Sequence, residues 1–265
     1  MLTRLLSVVI SASLLSGGAG AHEFWIDPER WQVESGAPLV VQLRNGEKFE
    51  GSPQVYFPNR IARFDMVTGG AATPYTGRMG DVPALEAKAP DAGLLVLVHE
   101  TQPTTLTYRD WDKFVRFVEH KGHAAIAAEH VARGLPQEGF AESYSRFAKA
   151  LVAVGDGAGT DAPTGMETEF VALANPYTDD VMGGMPVQLL YRGSPRADAQ
   201  VEVFDRSAEG TVTVSFLTTD AEGRTLVPIA RGHEYLLDSV VLRPLHDPDG
   251  PVWESLWAAM TFSVP

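Results

Sequence analysis

The chain has 265 residues, of which 45% are hydrophobic, and it carries a formal net charge of −13 with no cysteine. The acidic charge argues against the clustered basic surface that nucleic-acid binding requires, so no nucleic-acid partner is expected. The absence of cysteine excludes disulfides, thiolate metal sites and a thiol nucleophile. Any metal ion must therefore be bound by histidine, carboxylate, methionine or an amino terminus.

Residues 1–21 have the pattern of a secretory signal peptide. Arg4 supplies a positive charge, an apolar run extends from Leu5 to Leu15, and Ala19-Gly20-Ala21 fits the small-residue rule for cleavage. The run is about half of the ~20 residues that a membrane span needs, which favours export over a membrane anchor. The sequence thus predicts a periplasmic protein whose mature chain begins at His22 and contains no transmembrane segment.

Residues 22–155 are predicted to form an amino-terminal β domain with a helical insertion at 111–154. The apolar runs Leu39–Leu43 and Leu94–Val98 are typical of strands, and Asn45-Gly46 is a dipeptide favoured in hairpin turns.

The predicted insertion contains three helices. Phe114, Phe117 and Val118 share one helical face, which Gly122 is expected to end. An alanine-rich second helix spans 124–132. Apolar residues recur at helical spacing between Phe140 and Leu151 and predict a third, amphipathic helix.

The small-residue segment 156–165 is predicted to be a linker, followed by a carboxy-terminal domain at 166–265. Seven short apolar runs there predict a β-sandwich of immunoglobulin-like or transthyretin-like architecture. The predicted strands are Glu167–Leu173, Met185–Arg192, Gln200–Asp205, Thr211–Thr218, Arg224–Ile229, Tyr235–Leu242 and Met260–Val264. The predicted fold class is therefore mainly β, with a helical insertion in the first of two β-sandwich domains.

His22 is the strongest candidate for a metal ligand. A mature amino-terminal histidine offers its α-amine and its imidazole Nδ1 to one ion, and the amine has an ordinary pKa of about 7.7–8.0. Nitrogen ligands of this kind suit Cu(II), Ni(II) or Co(II). The alternative interpretation is that cleavage leaves an exposed histidine without a function.

Three further histidines are candidate partners of His22. His99 follows the Leu94–Val98 strand, while His120 and His123 are spaced i, i+3 in the predicted insertion. Solvated surface histidines are the alternative interpretation at all three positions.

Sequence motifs give no support for an enzyme. No zincin helix, nucleophile elbow, phosphate-binding loop or dinucleotide-binding glycine pattern occurs in the chain. We therefore predict no catalytic residues.

Several strings in chain order resemble one family of exported proteins. They are Ala21–Trp25, Tyr144–Leu151, Asn175–Tyr177, Thr219–Arg224 and Trp253–Phe262. The family is domain of unknown function family 4198, often labelled a periplasmic component of cobalt or nickel ABC-type uptake. Its members characteristically begin the mature chain with a histidine near an aromatic residue, which here corresponds to His22 and Trp25.

Together, the residues and the resemblance predict a periplasmic protein that binds nickel, cobalt or copper through His22 as an accessory to a membrane metal transporter. One alternative is a non-metal structural or adhesion module that binds protein or glycan. A further alternative is a copper oxidase with an amino-terminal histidine brace.

Overall fold

A computed structural model describes residues 22–247 and 249–265, so the predicted signal peptide lies outside the described residues. The strands are β1 Glu23–Pro28, β2 Gln32–Val33, β3 Pro38–Glu47, β4 Glu50–Gln54, β5 Ile61–Thr68, β6 Ala71–Pro74, β7 Leu85–Lys88, β8 Gly93–Thr101, β9 Thr104–Tyr108, β10 Phe140–Val154, β11 Thr168–Ala172, β12 Met185–Tyr191, β13 Ser194–Pro195, β14 Gln200–Arg206, β15 Val212–Thr218, β16 Arg224–Val227, β17 His233–Pro244 and β18 Trp253–Val264. The helices are α1 Trp111–His120 and α2 Ala125–Ala132. Within these described ranges, neither helix is long and apolar enough to cross a membrane.

The strands form three sheets, and the largest of them lies at the centre of the fold. Its order is β15-β14-β17-β18-β10-β8-β5-β6, with β2 and β9 also paired to β10. A second sheet contains β1, β3, β4 and β7, and a third contains β11, β12, β13 and β16. The protein is thus mainly β, with few helices and stacked sheets, as the sequence predicts.

Strand β8 shows how the central sheet supports a core on each face. Leu94, Val96 and Val98 belong to one hydrophobic core with β11 and β12, whereas Leu95 and Leu97 belong to another with β1 and β3. This alternation follows the two-residue period of a strand. A third core lies under the helices, where Phe114 and Phe117 meet aromatic residues of β18.

The predicted third helix is wrong, because residues 140–154 form the long strand β10. This strand pairs in parallel with β18 and antiparallel with β8 and β9. Both of its faces are buried, so apolar residues occur on consecutive positions and happen to match a helical spacing. The helical part of the predicted insertion therefore ends with α2.

The other local predictions agree more closely with the structure. Helices α1 and α2 are both present, and Gly122 lies just beyond α1 with a φ of 77°, a conformation that favours glycine at a helix end. The predicted hairpin turn is misplaced, however. Strand β3 continues through Asn45-Gly46, and the reversal occurs at Lys48 and Phe49, which both have positive φ.

All seven strands predicted in 166–265 are present. The segment 156–165 contains no helix or strand, yet strands from both sides of it belong to the central sheet. It is also attached to that sheet, since the buried Lys149 Nζ lies 3.2 Å from Asp161 Oδ1 and 3.2 Å from Glu169 Oε2. The predicted linker does not separate two independent sheets.

Candidate functional site

His22 lies immediately before β1, which pairs with β3. Its Nδ1 is 3.1 Å from Asn45 Oδ1, and its Nε2 is 3.4 Å from Glu47 Oε1. The side chain is 52% exposed, so the imidazole is accessible to solvent and is not part of the hydrophobic core. Because Asn45 Oδ1 only accepts hydrogen bonds, this contact requires the proton on Nδ1. Metal binding through Nδ1 needs the other tautomer, with the proton on Nε2, which the Glu47 carboxylate can stabilise.

His99 has the opposite environment, because it is buried in β8 between two aromatic rings. The ring centroids of Phe24 and Phe64 each lie 5.1 Å from that of the imidazole. Neither ring nitrogen has a hydrogen-bond partner among the described residues. Burial lowers the pKa of His99 to about 3, so the side chain is neutral at physiological pH.

His120 and His123 lie at and beyond the end of α1 and contact different groups. His120 Nε2 is 3.0 Å from Glu202 Oε1, and this hydrogen bond raises the pKa of His120. His123 Nε2 donates to the carbonyl oxygen of Val240 at 2.7 Å, and burial lowers its pKa. The four predicted ligands therefore have separate environments. Within 22–247 and 249–265, no group of three closely spaced metal-ligating side chains includes a histidine.

The structure instead brings together three carboxylates that the sequence analysis did not single out. Ligand oxygens of Glu23, Glu202 and Asp238 lie within 4.8 Å of one another, and all three side chains are buried. The Lys121 Nζ lies among them, at 2.9 Å from Glu23, 2.7 Å from Glu202 and 2.9 Å from Asp238. A protein ammonium group thus takes the position that a cation would need.

The charges of this cluster are strongly coupled. Burial raises the pKa of Glu23 to about 7, although the ammonium of Lys121 opposes this effect. Burial also raises the pKa of Asp238. Burial alone would lower the pKa of Lys121, but attraction by the carboxylates raises it, so the lysine stays charged. Glu202 titrates below its usual range because hydrogen bonds with His120 and Lys121 outweigh its burial.

Two cavities of the protein adjoin each other and share part of their lining. The first, of about 340 Å³, is lined by His99, and the second, of about 290 Å³, is lined by His22. Their shared wall consists of Asn45, Tyr144 and Arg146. His22 and His99 therefore lie in neighbouring cavities, not in one coordination sphere.

Arg146 is the charged residue of the shared wall and is 9% exposed. Its guanidinium carbon lies 3.8 Å from the ring centroid of Trp257 and 5.3 Å from that of Tyr144. Its Nε and Nη1 are buried and have no hydrogen-bond partner among the described residues. Burial lowers the pKa of Arg146, but a guanidinium stays protonated in proteins.

Glu142 lines the second cavity, and each of its carboxylate oxygens accepts a hydrogen bond from another side chain. Tyr108 donates its hydroxyl to Glu142 Oε2 at 2.9 Å, and the Ser255 hydroxyl donates to Oε1. Burial raises the pKa of Glu142 to about 6. No hydrogen bond joins Glu142 to Arg146 among the described residues.

Comparison with known proteins identifies the family. A family model described as "Domain of unknown function (DUF4198)" matches residues 19–242. The chain belongs to this family. The DUF4198 match includes all four predicted histidines, the carboxylate cluster and Arg146, and it confirms the resemblance found in the sequence. No curated protein matches this DUF4198 chain at a significant level.

Two solved structures also align with this DUF4198 protein. One is a crystal structure of a tetra-tandem repeat in the extending region of a large adhesion protein, with 12% identity and a TM-score of 0.23. The alignment covers 92% of this chain and 50% of that one, so the DUF4198 chain spans about half of the repeat structure. The other is the D0-D1 domain of intimin, with 12% identity, a TM-score of 0.24 and coverage of 90% and 97%.

Besides the three carboxylates, sequence reasoning does not find the buried Lys121 and Arg146 of this DUF4198 protein. Lys121 directly precedes Gly122, which the sequence predicts to end α1, but a lysine beside a helix end is normally solvent-exposed. Arg146 lies in a string whose spacing predicts a helix, and its neighbours in the cavity come from distant parts of the chain. Neither residue has a local signal that would indicate burial.

Proposed function

We propose that the mature protein is a periplasmic binder of a divalent transition-metal ion, nickel, cobalt or copper, with His22 as the primary ligand. In this proposal it acts as an accessory to a membrane metal transporter and performs no chemistry of its own. The transporter association is suggested by the family label, and export is suggested by the signal-peptide pattern of residues 1–21.

The observation that carries the proposal is the environment of the His22 imidazole. It is solvent-accessible, its Nδ1 lies 3.1 Å from the Asn45 carbonyl oxygen, and its Nε2 lies 3.4 Å from a carboxylate. Two ligand atoms at right angles on one ion, each about 2.0–2.2 Å from it, are about 3 Å apart. With its proton on Nε2 beside Glu47, the imidazole can offer Nδ1, together with Asn45 Oδ1, to a transition-metal ion.

The buried carboxylates do not compete with His22 for this role. The ammonium of Lys121 lies within hydrogen-bond distance of Glu23, Glu202 and Asp238 and neutralises part of their charge. A metal ion could enter only by displacing this buried lysine. Metal binding is therefore proposed at the exposed His22 and not at the acidic cluster.

The proposal is tested by changing the amino terminus alone. Affinities for Ni(II), Co(II) and Cu(II) are measured by calorimetry for protein processed to begin at His22, verified by intact mass, and for protein that retains extra residues before His22. The extension removes the free α-amine and should abolish most of the affinity, as should His22→Ala. Equal affinity of the two forms, or no binding by either, would contradict the metal site.

The same measurements separate the alternatives. Absence of metal binding by the processed form would favour a structural or adhesion module. Oxygen consumption by the copper-loaded protein with a reductant would favour a copper oxidase over a carrier.

A further inference from the structure

The 340 Å³ cavity beside His99 differs in charge from the rest of the protein. The chain carries 34 acidic and 21 basic residues, yet no aspartate or glutamate lines this cavity, whereas Arg146 and Arg60 do. Its other walls include the apolar side chains of Phe24, Leu43 and Ile61. A pocket of this size with apolar walls and a few polar groups is typical of small-molecule sites.

Arg146 supplies the polar anchor of this cavity. Two of its buried nitrogens have no hydrogen-bond partner among the described residues, and unpartnered buried donors of a charged group are costly. The guanidinium plane is held by the Trp257 ring at 3.8 Å, and the Arg146 backbone N–H donates to Thr101 Oγ1 at 2.9 Å. The donors are therefore fixed in place before any ligand arrives.

The nearby carboxylates do not satisfy these donors. Glu142 accepts hydrogen bonds from Tyr108 and Ser255, while Glu23 and Asp238 accept from Lys121. Their long-range attraction favours the charged form of Arg146, but none forms a hydrogen bond with it in the described structure. A planar guanidinium can bind a carboxylate through two parallel hydrogen bonds, donated by Nη2 together with either Nε or Nη1.

We propose that this cavity binds a small organic acid. Its carboxylate pairs with Arg146, and its aliphatic or aromatic body contacts Phe24, Leu43 and Ile61. The neutral imidazole of His99, which lines the same cavity and has no partner for either ring nitrogen, provides a second polar contact. This inference does not depend on metal binding at His22.

The experiment uses metal-free mature protein in the presence of a chelator. Benzoate, phenylacetate and hexanoate serve as probes, benzamide is the neutral counterpart of benzoate, and sulfate is an anion without an apolar body. Binding is measured by calorimetry and by tryptophan fluorescence, because Trp257 contacts the proposed anchor. We expect saturable binding of at least one acid and much weaker binding of benzamide and sulfate.

A pair of variants at Thr104 tests the charge requirement without disturbing the core. Thr104 is exposed and lines the cavity, so Thr104→Glu places a carboxylate at its edge, while Thr104→Gln adds a neutral group of the same size. The acid should bind at least about tenfold more weakly to Thr104→Glu than to Thr104→Gln. Arg146→Lys keeps the positive charge but loses the planar pair of N–H donors, so it should also weaken binding of the acid.

Three outcomes would overturn the proposal. One is the absence of saturable binding for all three acids, another is equal affinity for benzoate and benzamide, and the third is equal acid affinity of the two Thr104 variants. In each case Arg146 serves only to balance the buried carboxylates. Loss of metal binding with retained acid binding would contradict the function proposed for His22 and leave this site intact.

Discussion

The Lys121 Nζ, directly after α1, donates a hydrogen bond of 2.9 Å to Asp238 Oδ2 on β17, joining residues 117 positions apart in the chain. The same ammonium group lies 4.9 Å from the centroid of the Trp257 ring on β18. Helix α1 is therefore attached to the central sheet by a buried charge as well as by its apolar face.

Removing this charge should destabilise the fold. Lys121→Met leaves three buried carboxylates without their cation, and breaking a buried ion pair from one side costs about 3–5 kcal/mol. The free energy of unfolding, measured by urea denaturation, should fall by this amount. Lys88→Met is the matched control, because Lys88 is exposed on β7, and its effect should stay within about 0.5 kcal/mol. Equal effects of the two substitutions would show that the cluster contributes nothing specific.

Stability should depend on pH through Glu23. Burial raises the folded-state pKa of Glu23 from 4.5 to about 7, so between these pH values the folded protein holds a proton that the unfolded chain releases. The Glu23 contribution therefore lowers the free energy of unfolding as pH rises from about 4.5 to 7, by on the order of 3 kcal/mol. Urea denaturation across this range should show a shallower decline for Glu23→Gln than for the unmodified protein. Parallel pH profiles would contradict the assignment, and the exposed Glu86→Gln should give a profile parallel to that of the unmodified protein.

Metal affinity should depend on Glu47, whose carboxylate lies beside the His22 imidazole. Glu47→Gln removes the carboxylate that lies 3.4 Å from His22 Nε2, and loss of such an orienting group typically costs 10–100-fold in metal affinity. Because Glu47 is 44% exposed, we expect a value near the lower end, about tenfold. Glu50→Gln is the control, since Glu50 is the exposed cross-strand neighbour of Glu47. Calorimetric titration with Ni(II) or Cu(II) would count against the proposed geometry if both variants bound equally well.

His130 should be structural rather than metal-binding. Its Nδ1 accepts a hydrogen bond of 2.9 Å from Trp253 Nε1, and its Nε2 donates to the carbonyl oxygen of Pro136 at 2.9 Å. Both ring nitrogens are thus used, and the side chain is buried against Phe140. His130→Ala should lower the free energy of unfolding by about 2–4 kcal/mol and leave the metal affinity of the refolded protein unchanged. The exposed His246→Ala should alter neither quantity; a loss of metal affinity in His130→Ala would contradict this role.

The parts of the fold that the sequence predicted are those with a clear local signal. The strands of 166–265 alternate or form short apolar runs between turn residues, and α1 has one apolar face and a glycine after its end. The same local rules failed for β10. Its inner positions include Arg146 and Lys149, which are buried only because distant residues contact them, and its apolar residues face two cores at once.

The candidate site was predictable only in part, for the same physical reason. The predicted signal cleavage singles out His22, and the structure leaves that residue accessible. The ion pairs of Lys121 with Glu23 and Asp238 form only when the strands pair and α1 packs on the central sheet. The spacing of these residues in the sequence does not predict these contacts. The environment of His99 likewise depends on Phe24 and Phe64, which belong to two other strands.

The position of β18 has a consequence for how the chain acquires its structure. This strand lies between β17 and β10, and its parallel partners on β10 precede it by more than a hundred residues. Parallel pairing over such a separation requires closure of a large loop, which slows folding. Until β18 is available, β10 and β17 each present an unpaired edge and the central layer exists only as two halves. The two halves of the central sheet can therefore join only after residues 253–264 have been synthesised.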